Sequence, residues 1–164
     1  MDLENNKKGD GCRPFLIGCG AIFGIIILAV ILFFVWIAGQ PEGGVLFSNE
    51  IEEYALEYIK EHNILNNTEE LIAYYDCTLS LDGTEAALLT NERIIYHKKG
   101  STNALNLIDV VDVKHRYEDI DGDIIEITNK DGKLLKIEID PDNNGESFYN
   151  ALIGTLEIKG IKIE

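Results

Sequence analysis

The feature that most constrains this chain is an apolar run near its N-terminus. Residues 15–38 contain no charged side chain. In an α-helix these 24 residues would extend roughly 36 Å, which exceeds the ~30 Å hydrocarbon core of a bilayer. Pro14 suits a first helical turn, and Trp36 lies where aromatic residues prefer the membrane interface. The sequence therefore predicts one transmembrane helix over residues 15–38 and a single-pass, membrane-embedded protein.

Two kinds of cleaved segment compete with that interpretation. The apolar core of a signal peptide normally runs about 7 to 15 residues before small residues at a cleavage site. Here the run is longer, and Trp36 and Ile37 occupy positions where small residues are needed. Residues 16–19 are similar to a lipoprotein cleavage box, but they stand at the start of the apolar run instead of after it. A membrane span remains the leading interpretation.

The charges that flank the run indicate its orientation. Lys7, Lys8 and Arg13 precede it, whereas no Lys or Arg follows it until Lys60. The positive-inside rule then predicts a cytoplasmic N-terminus and an extracytoplasmic C-terminal domain.

Two glycines within the run suggest how such helices could associate. Gly20 and Gly24 have the four-residue spacing that lets two membrane helices approach closely. They are the candidate face for a homodimer, and scattered small residues without a partner are the alternative.

Strong negative charge limits the classes of partner. The chain has 29 acidic and 14 basic residues, a formal net charge of −15. Three acids and three bases precede Gln40 and cancel, so the C-terminal part carries the whole excess. Such a surface repels phosphate backbones and anionic headgroups, which argues against nucleic acid. A protein with a basic face would be attracted.

The remaining length, about 125 residues, suits one domain. Asn49 and Glu52 form a plausible capping box. An apolar stripe at helical spacing follows and is expected to pack on the domain: Ile51, Tyr54, Ala55, Tyr58 and Ile59.

The chain divides into a polar N-terminus (1–14), the span (15–38), a linker (39–48), an amphipathic helix (49–66), a strand-rich domain (67–158) and a tail (159–164). The tail alternates apolar and charged residues and is either an extra strand or frayed.

Short β-type runs separated by turn signals fill the domain. They predict seven strands, at about residues 70–80, 85–90, 93–97, 103–107, 110–117, 123–129 and 133–140. The turns are Asp82-Gly83, Lys99-Gly100, Asp121-Gly122 and Asp131-Gly132. Leu135, Ile137 and Ile139 alternate with charged neighbours, which predicts one buried and one wet face. A helix at about residues 146–157 should cap this antiparallel sheet or barrel.

Two segments carry a family resemblance. Residues 86–96, AALLTNERIIY, together with Lys99-Gly100 and residues 107–113, LIDVVDV, resemble bacterial pleckstrin-homology-like domains and the related GRAM domains. The resemblance covers about residues 67–157. It implies a bent, two-layered sheet or partly open barrel closed by the helix that contains Phe148 and Leu152, with no catalytic residue and no cofactor. Arg93 is expected to brace its hairpin turn.

Phosphoinositides, which some pleckstrin-homology domains bind through Lys and Arg of the first hairpin, are not expected here. Residues 70–90 contain no Lys or Arg.

The other chemical signals are weak. One segment matches the first half of a calcium-binding loop, with Asp140, Asp142, Asn144 and Gly145 at the required spacing. Ala151 occupies the position of the closing Glu, so an acidic loop that caps a helix is the preferred interpretation. Cys77 is expected to be small and buried. No two of the histidines (His62, His97 and His115) have ligand spacing, so neither a metal site nor an enzyme is predicted.

The leading hypothesis is a membrane-tethered, non-catalytic binding module that recognises a protein partner at or near the membrane. Its candidate contact loops surround Asp82, Lys99 and Asp121. One alternative is a lipid or small-molecule binder, which would need an apolar pocket. The other is a structural membrane-assembly protein that dimerises through its transmembrane helix.

Overall fold

The computed structural model describes residues 24–35 and 43–163, in two units that divide after Gln40. Helix α1, residues 24–35, is the described part of the first unit. None of the helices described is long and apolar enough to cross a membrane.

The predicted transmembrane helix over residues 15–38 is therefore wrong. The single-pass, membrane-embedded localisation, with its cytoplasmic N-terminus and extracytoplasmic domain, is corrected with it. The prediction relied on the length of the uncharged run, whereas the length of the helix decides whether a segment can cross a bilayer. Gly24 lies in the described part of α1, and Gly20 lies outside the described residues.

The second unit is an α+β domain with two antiparallel sheets. Its elements are β1 (Val45–Phe47), α2 (Glu53–Glu61), β2 (Leu71–Asp76), β3 (Glu85–Thr90), β4 (Arg93–Lys98), β5 (Ser101–Asn106), β6 (Val110–Glu118), β7 (Gly122–Asn129), β8 (Leu134–Ile139) and α3 (Gly145–Ile158). A 3-10 turn, Leu107–Asp109, joins β5 to β6. The five-stranded sheet has the order β1-β2-β3-β4-β5, and the three-stranded sheet has the order β6-β7-β8.

The prediction of seven strands is corrected to eight in the part of the chain that the structure describes. The seven predicted strands are β2 to β8, and the additional one is β1, which forms inside the predicted linker. Three residues are too few to show alternation. Pairing creates this strand: Val45 lies opposite Tyr75 of β2, and its N–H donates to the Asn143 carbonyl at 3.0 Å.

The five-stranded sheet is buried on both faces. One face packs against the three-stranded sheet and α3, where Leu89, Ile125 and Phe148 are fully buried. The other is covered by α2, whose Ala55 and Ile59 pack among residues of β2 to β4. Burial of a large apolar side chain contributes about 1.5–3 kcal/mol. The predicted packing of the α2 stripe on the domain is confirmed.

The predicted capping box is wrong. Glu52 is the N-cap residue of α2, and no side chain caps that end. Asn49 lies in the turn before it. Glu50 instead closes that turn, because its carboxylate accepts a hydrogen bond from the Phe47 N–H at 3.2 Å.

The turns and the last helix lie where the sequence predicted them. Lys99 and Gly100 have φ values of 46° and 80°, as a tight hairpin requires. Gly122 cannot be replaced without movement, because a Cβ there would lie 2.2 Å from the Ile139 carbonyl oxygen. Helix α3 begins one residue earlier and ends one later than predicted. The alternation of buried and exposed residues predicted for β8 is confirmed.

Candidate interaction groove

Strand β6 forms one exposed edge of the three-stranded sheet. Among the described residues it pairs with β7 alone, through eight of its nine residues, with an irregularity between Val110 and Asp112. In an antiparallel pair every second residue directs its N–H and C=O away from the neighbouring strand. A long edge of this kind is a template for pairing with another chain.

Helix α3 faces β6 and forms the second wall of a groove. The ring of His115 on β6 stacks on that of Tyr149 on α3, with centroids 4.5 Å apart and planes 23° apart. Val113 packs partly buried against the main core, and Tyr117 is 58% exposed. Since alternate residues share one face of a strand, Val113, His115 and Tyr117 all face the groove.

A pocket of about 480 Å³ occupies one end of the groove, and it is called the apolar pocket here because most of its lining side chains are apolar. Its lining includes Val113, Tyr149 and Ile153, together with the chain after α3, residues 161–163. That tail is turned back by a left-handed Gly160 and by a 2.9 Å hydrogen bond from the Ile161 N–H to the Leu156 carbonyl, the arrangement of a Schellman cap. The tail is therefore a wall of the pocket and forms no strand.

An acidic pocket of about 430 Å³ occupies the other end. Besides Gly145, its lining consists of residues with hydrogen-bonding side chains: His115, Tyr117, Asp123, Asp142, Asn144 and Glu146. Three of these are carboxylates and none is Lys or Arg, so this pocket repeats locally the excess of acid over the whole chain.

The contact between Asp123 and His115 organises the acidic pocket. Asp123 is 8% exposed, and its Oδ1 lies 2.6 Å from His115 Nε2, a geometry in which the Nε2–H donates to the carboxylate. At Gly145, the first residue of α3, a Cβ would lie 2.4 Å from Asp123 Cβ. Only glycine lets the helix approach so closely, and a helix N-terminus stabilises a nearby carboxylate.

No family model matches the chain. No curated protein and no solved structure matches it either.

The structure brings two of the three predicted contact loops together. The Asp82 carboxylate accepts hydrogen bonds from the hydroxyls of Ser80 and Thr84, both at 2.7 Å, and these bonds lower its pKa to about 2. The Lys99 N–H donates to the Thr84 carbonyl at 2.8 Å. Asp121 lies on the β6–β7 turn of the other sheet, two residues before Asp123.

The calcium-like segment is held by contacts within the protein. The Asp140 N–H and the Asn143 side-chain amide donate to the Tyr75 hydroxyl, at 3.2 and 3.3 Å. Asn144 Oδ1 accepts from the Ser147 hydroxyl at 2.7 Å. Across the described ranges, no three His, Cys, Asp or Glu side chains are grouped to hold a metal ion.

Sequence spacing did not reveal a cluster that joins α2 to β4. The Tyr58 ring stacks on His62, with centroids 3.9 Å apart, and its hydroxyl lies 3.4 Å from His97 Nε2. The other ring nitrogen of His97 lies 2.9 Å from the Thr102 hydroxyl. Burial and then the charge of His62 lower the pKa of His97. The sequence held one indication of this cluster: His97 is two positions after Ile95 on β4, so it shares the face that packs against α2.

Two further sequence expectations can be compared with contacts. Arg93 does brace its turn through an acid, since its Nε donates to Glu69 Oε1 at 2.6 Å and the same oxygen accepts from the Thr90 hydroxyl at 3.1 Å. Cys77 is half-buried where full burial was expected. Burial, followed by the charges of Glu85 and Asp76, raises the pKa of its thiol to about 12.

Proposed function

We propose that this domain is a non-catalytic, pleckstrin-homology-like binding module that recognises a protein partner. It takes an extended segment of that partner as an additional strand along β6, in the groove between β6 and α3. The observation that carries the proposal is the nine-residue edge of β6, which pairs with β7 alone among the described residues and borders two pockets.

The order of elements supports a pleckstrin-homology-like domain. Four consecutive strands, β2 to β5, lie in one antiparallel sheet, three more lie in a second, and a helix follows. The sequence resemblance implies the same succession of two sheet layers and a closing helix. In this interpretation β1 and α2 are additions that cover the edge and the outer face of the first sheet.

Strand addition explains how an exposed edge can bind without a deep cavity. Each backbone hydrogen bond to the added segment contributes about 0.5–1.5 kcal/mol net. Alternate side chains of the segment would enter the two pockets, so the backbone supplies affinity and the pockets supply specificity. The net charge of −15 favours a basic partner, whose binding weakens as salt rises.

A matched pair of arginine substitutions on α3 tests the proposal. Ile153→Arg places a long charged side chain in the apolar pocket, whereas Asn150 is exposed on the same helix and does not line either pocket. Random peptides displayed on phage, about twelve residues long and therefore longer than the strand they would pair with, are selected on the full protein. Affinities of selected peptides are then measured by fluorescence anisotropy.

We expect Ile153→Arg to abolish binding and Asn150→Arg to preserve it. We also expect the amide signals of β6 to move when peptide is added to isotope-labelled protein. Peptides that bind both variants equally, or that shift only the Asp82 and Lys99 turns, would contradict the proposal.

A second candidate, a small-molecule binder, is favoured by the size of the apolar pocket, about 480 Å³. Pockets for small ligands range over about 300–1,000 Å³. A neutral aliphatic probe such as decanol separates the candidates. Shifts of the Val113 and Ile153 methyl signals without movement of the β6 amides would support the second candidate over the first.

A further inference from the structure

The two pockets lie at opposite ends of the groove-facing side of β6. Tyr117 lines the acidic pocket and Val113 lines the apolar pocket. These two residues are four positions apart on the strand, which is about 13 Å at 3.3 Å per residue. A segment paired with β6 would therefore present to the two pockets side chains that are four positions apart.

The acidic pocket is chemically suited to a cation. Asp123, Asp142 and Glu146 contribute three formal negative charges. The N-terminus of α3 opposes them with the equivalent of about +0.5 charge, which is too little to reverse the sign. Tyr117 adds an exposed aromatic ring on which a guanidinium or ammonium group can rest. A Lys or Arg side chain has the matching charge and length.

The apolar pocket requires a different side chain. Val113, Tyr149, Ile153, Ile161 and Ile163 supply its apolar surface. Its two charged residues, Glu157 and Lys162, have opposite formal charges. An aliphatic side chain buries apolar surface there without leaving a charge unpaired.

The stacked rings of His115 and Tyr149 stand between the pockets. His115 lines the acidic pocket and Tyr149 lines the apolar pocket, so the stack is the wall between them, and a residue of the bound segment opposite His115 meets that wall. That position, midway between the other two, should therefore hold a small side chain.

Strand direction sets the order of the two side chains. Both strand pairs of this sheet are antiparallel, and antiparallel pairing is slightly more stable per residue than parallel pairing. A segment antiparallel to β6 passes Tyr117 before it passes Val113. Resting on the function proposed above, we infer that the groove selects protein segments in which Lys or Arg is followed, four positions later, by an aliphatic residue, with a small residue midway.

The peptides selected on the full protein test this inference directly. We expect enrichment of Lys or Arg followed by Ile, Leu or Val at the fourth position after it. In a synthetic peptide with that pattern, we expect replacement of Arg by neutral citrulline to weaken binding by about tenfold, which corresponds to about 1.4 kcal/mol. A peptide of reversed sequence, with identical composition and charge, should bind as weakly as the citrulline peptide.

Variants of the protein provide the reciprocal test. Asp142→Asn together with Glu146→Gln should remove the preference for Arg over citrulline, because both exposed carboxylates line the acidic pocket. Asp131→Asn is the matched control, since Asp131 is exposed on the β7–β8 turn and does not line either pocket.

The outcomes separate this inference from the proposed function. Suppose that Ile153→Arg abolishes binding, but that replacing Arg by citrulline or reversing the peptide sequence leaves the affinity unchanged. That result would overturn the inference and leave strand addition intact. Binding that ignores Ile153→Arg, or a library that yields no binding peptide, would overturn both.

Discussion

Arg93 and Glu69 form a two-pronged ion pair that ties the β3–β4 hairpin to the segment before β2. Arg93 Nε lies 2.6 Å from Glu69 Oε1, and Nη2 lies 2.5 Å from Oε2. The Glu69 side chain has no exposure to solvent. Nη2 also donates to the Ile64 carbonyl at 3.2 Å, so one guanidinium fixes the whole connection from α2 to β2.

Removal of this guanidinium should be strongly destabilising. Arg93→Ala leaves the Glu69 carboxylate buried without its counter-ion, and we expect the free energy of unfolding in urea to fall by about 3 kcal/mol. Arg93→Lys keeps the charge but loses the two-pronged geometry, so its loss should be intermediate. Arg116→Ala is the control, because Arg116 pairs with Glu118 and Glu126 at the surface and its removal should change stability little. Equal losses for Arg93→Ala and Arg116→Ala would contradict this account.

Stability should fall in mildly acidic solution because of His97. This side chain is 1% exposed, and burial together with the charge of His62 lowers its pKa below the ordinary value of about 6.5. The unfolded chain therefore binds a proton more readily than the folded protein. The contribution of neutral His97 is fully present above about pH 6.5 and is lost as pH falls through the lower folded-state pKa.

Urea unfolding of the native protein and of His97→Gln, measured from about pH 8 to about pH 5, checks this sign. The variant should lose part of the dependence on pH over that range. His62→Gln should retain most of it, since burial is the larger cause of the shift. An unchanged dependence in His97→Gln would assign the effect to other groups.

Two glycines of α3 should respond oppositely to the same substitution. Gly145→Ala inserts a Cβ 2.4 Å from Asp123 Cβ, so it should destabilise the domain and disturb the contact between Asp123 and His115. At Gly154 nothing lies within 4 Å of the added carbon. There Ala should raise stability by about 0.5–1 kcal/mol through its helix propensity and the reduced entropy of the unfolded chain. Thermal unfolding of both variants measures the difference, and a stabilising Gly145→Ala would refute the close packing.

Cys77 should react slowly with thiol reagents. Its thiol is half-buried and its pKa is raised to about 12, so very little thiolate is present near neutral pH. In a Cys12→Ser, Cys19→Ser background, modification by a disulfide reagent should be much slower than that of an unfolded sample at the same pH. Glu85→Gln, which removes one of the charges that raise this pKa, should accelerate the reaction. Equal rates in folded and unfolded protein would disprove the shift.

Much of the fold follows from local sequence. Strands β2 to β8 were predictable as short β-type runs between turn signals, and in β8 apolar residues such as Ile137 and Ile139 recur at every second position. Helix α3 and the stripe of α2 were visible in their helical periodicity. The bond from the Arg93 backbone N–H to the Thr90 hydroxyl was predictable because the two residues are three apart, whereas the guanidinium's partner Glu69 is 24 residues away.

Other features depend on contacts that periodicity does not encode. Strand β1 has three residues and forms because β2 supplies an edge for it. The membrane span was wrongly predicted because hydropathy measures the apolarity of a segment, whereas a span requires a helix of sufficient length.

The sequence by itself determined strands β2 to β8, their turns, the closing helix and the negative charge, because each depends on neighbouring residues or on composition alone. Only the tertiary structure decided that β6 is an edge, that His115 meets both Asp123 and Tyr149, and that a charged and an apolar pocket share one groove. Those relationships join distant segments across two sheets and a helix. They are set by packing, which local patterns constrain but do not specify.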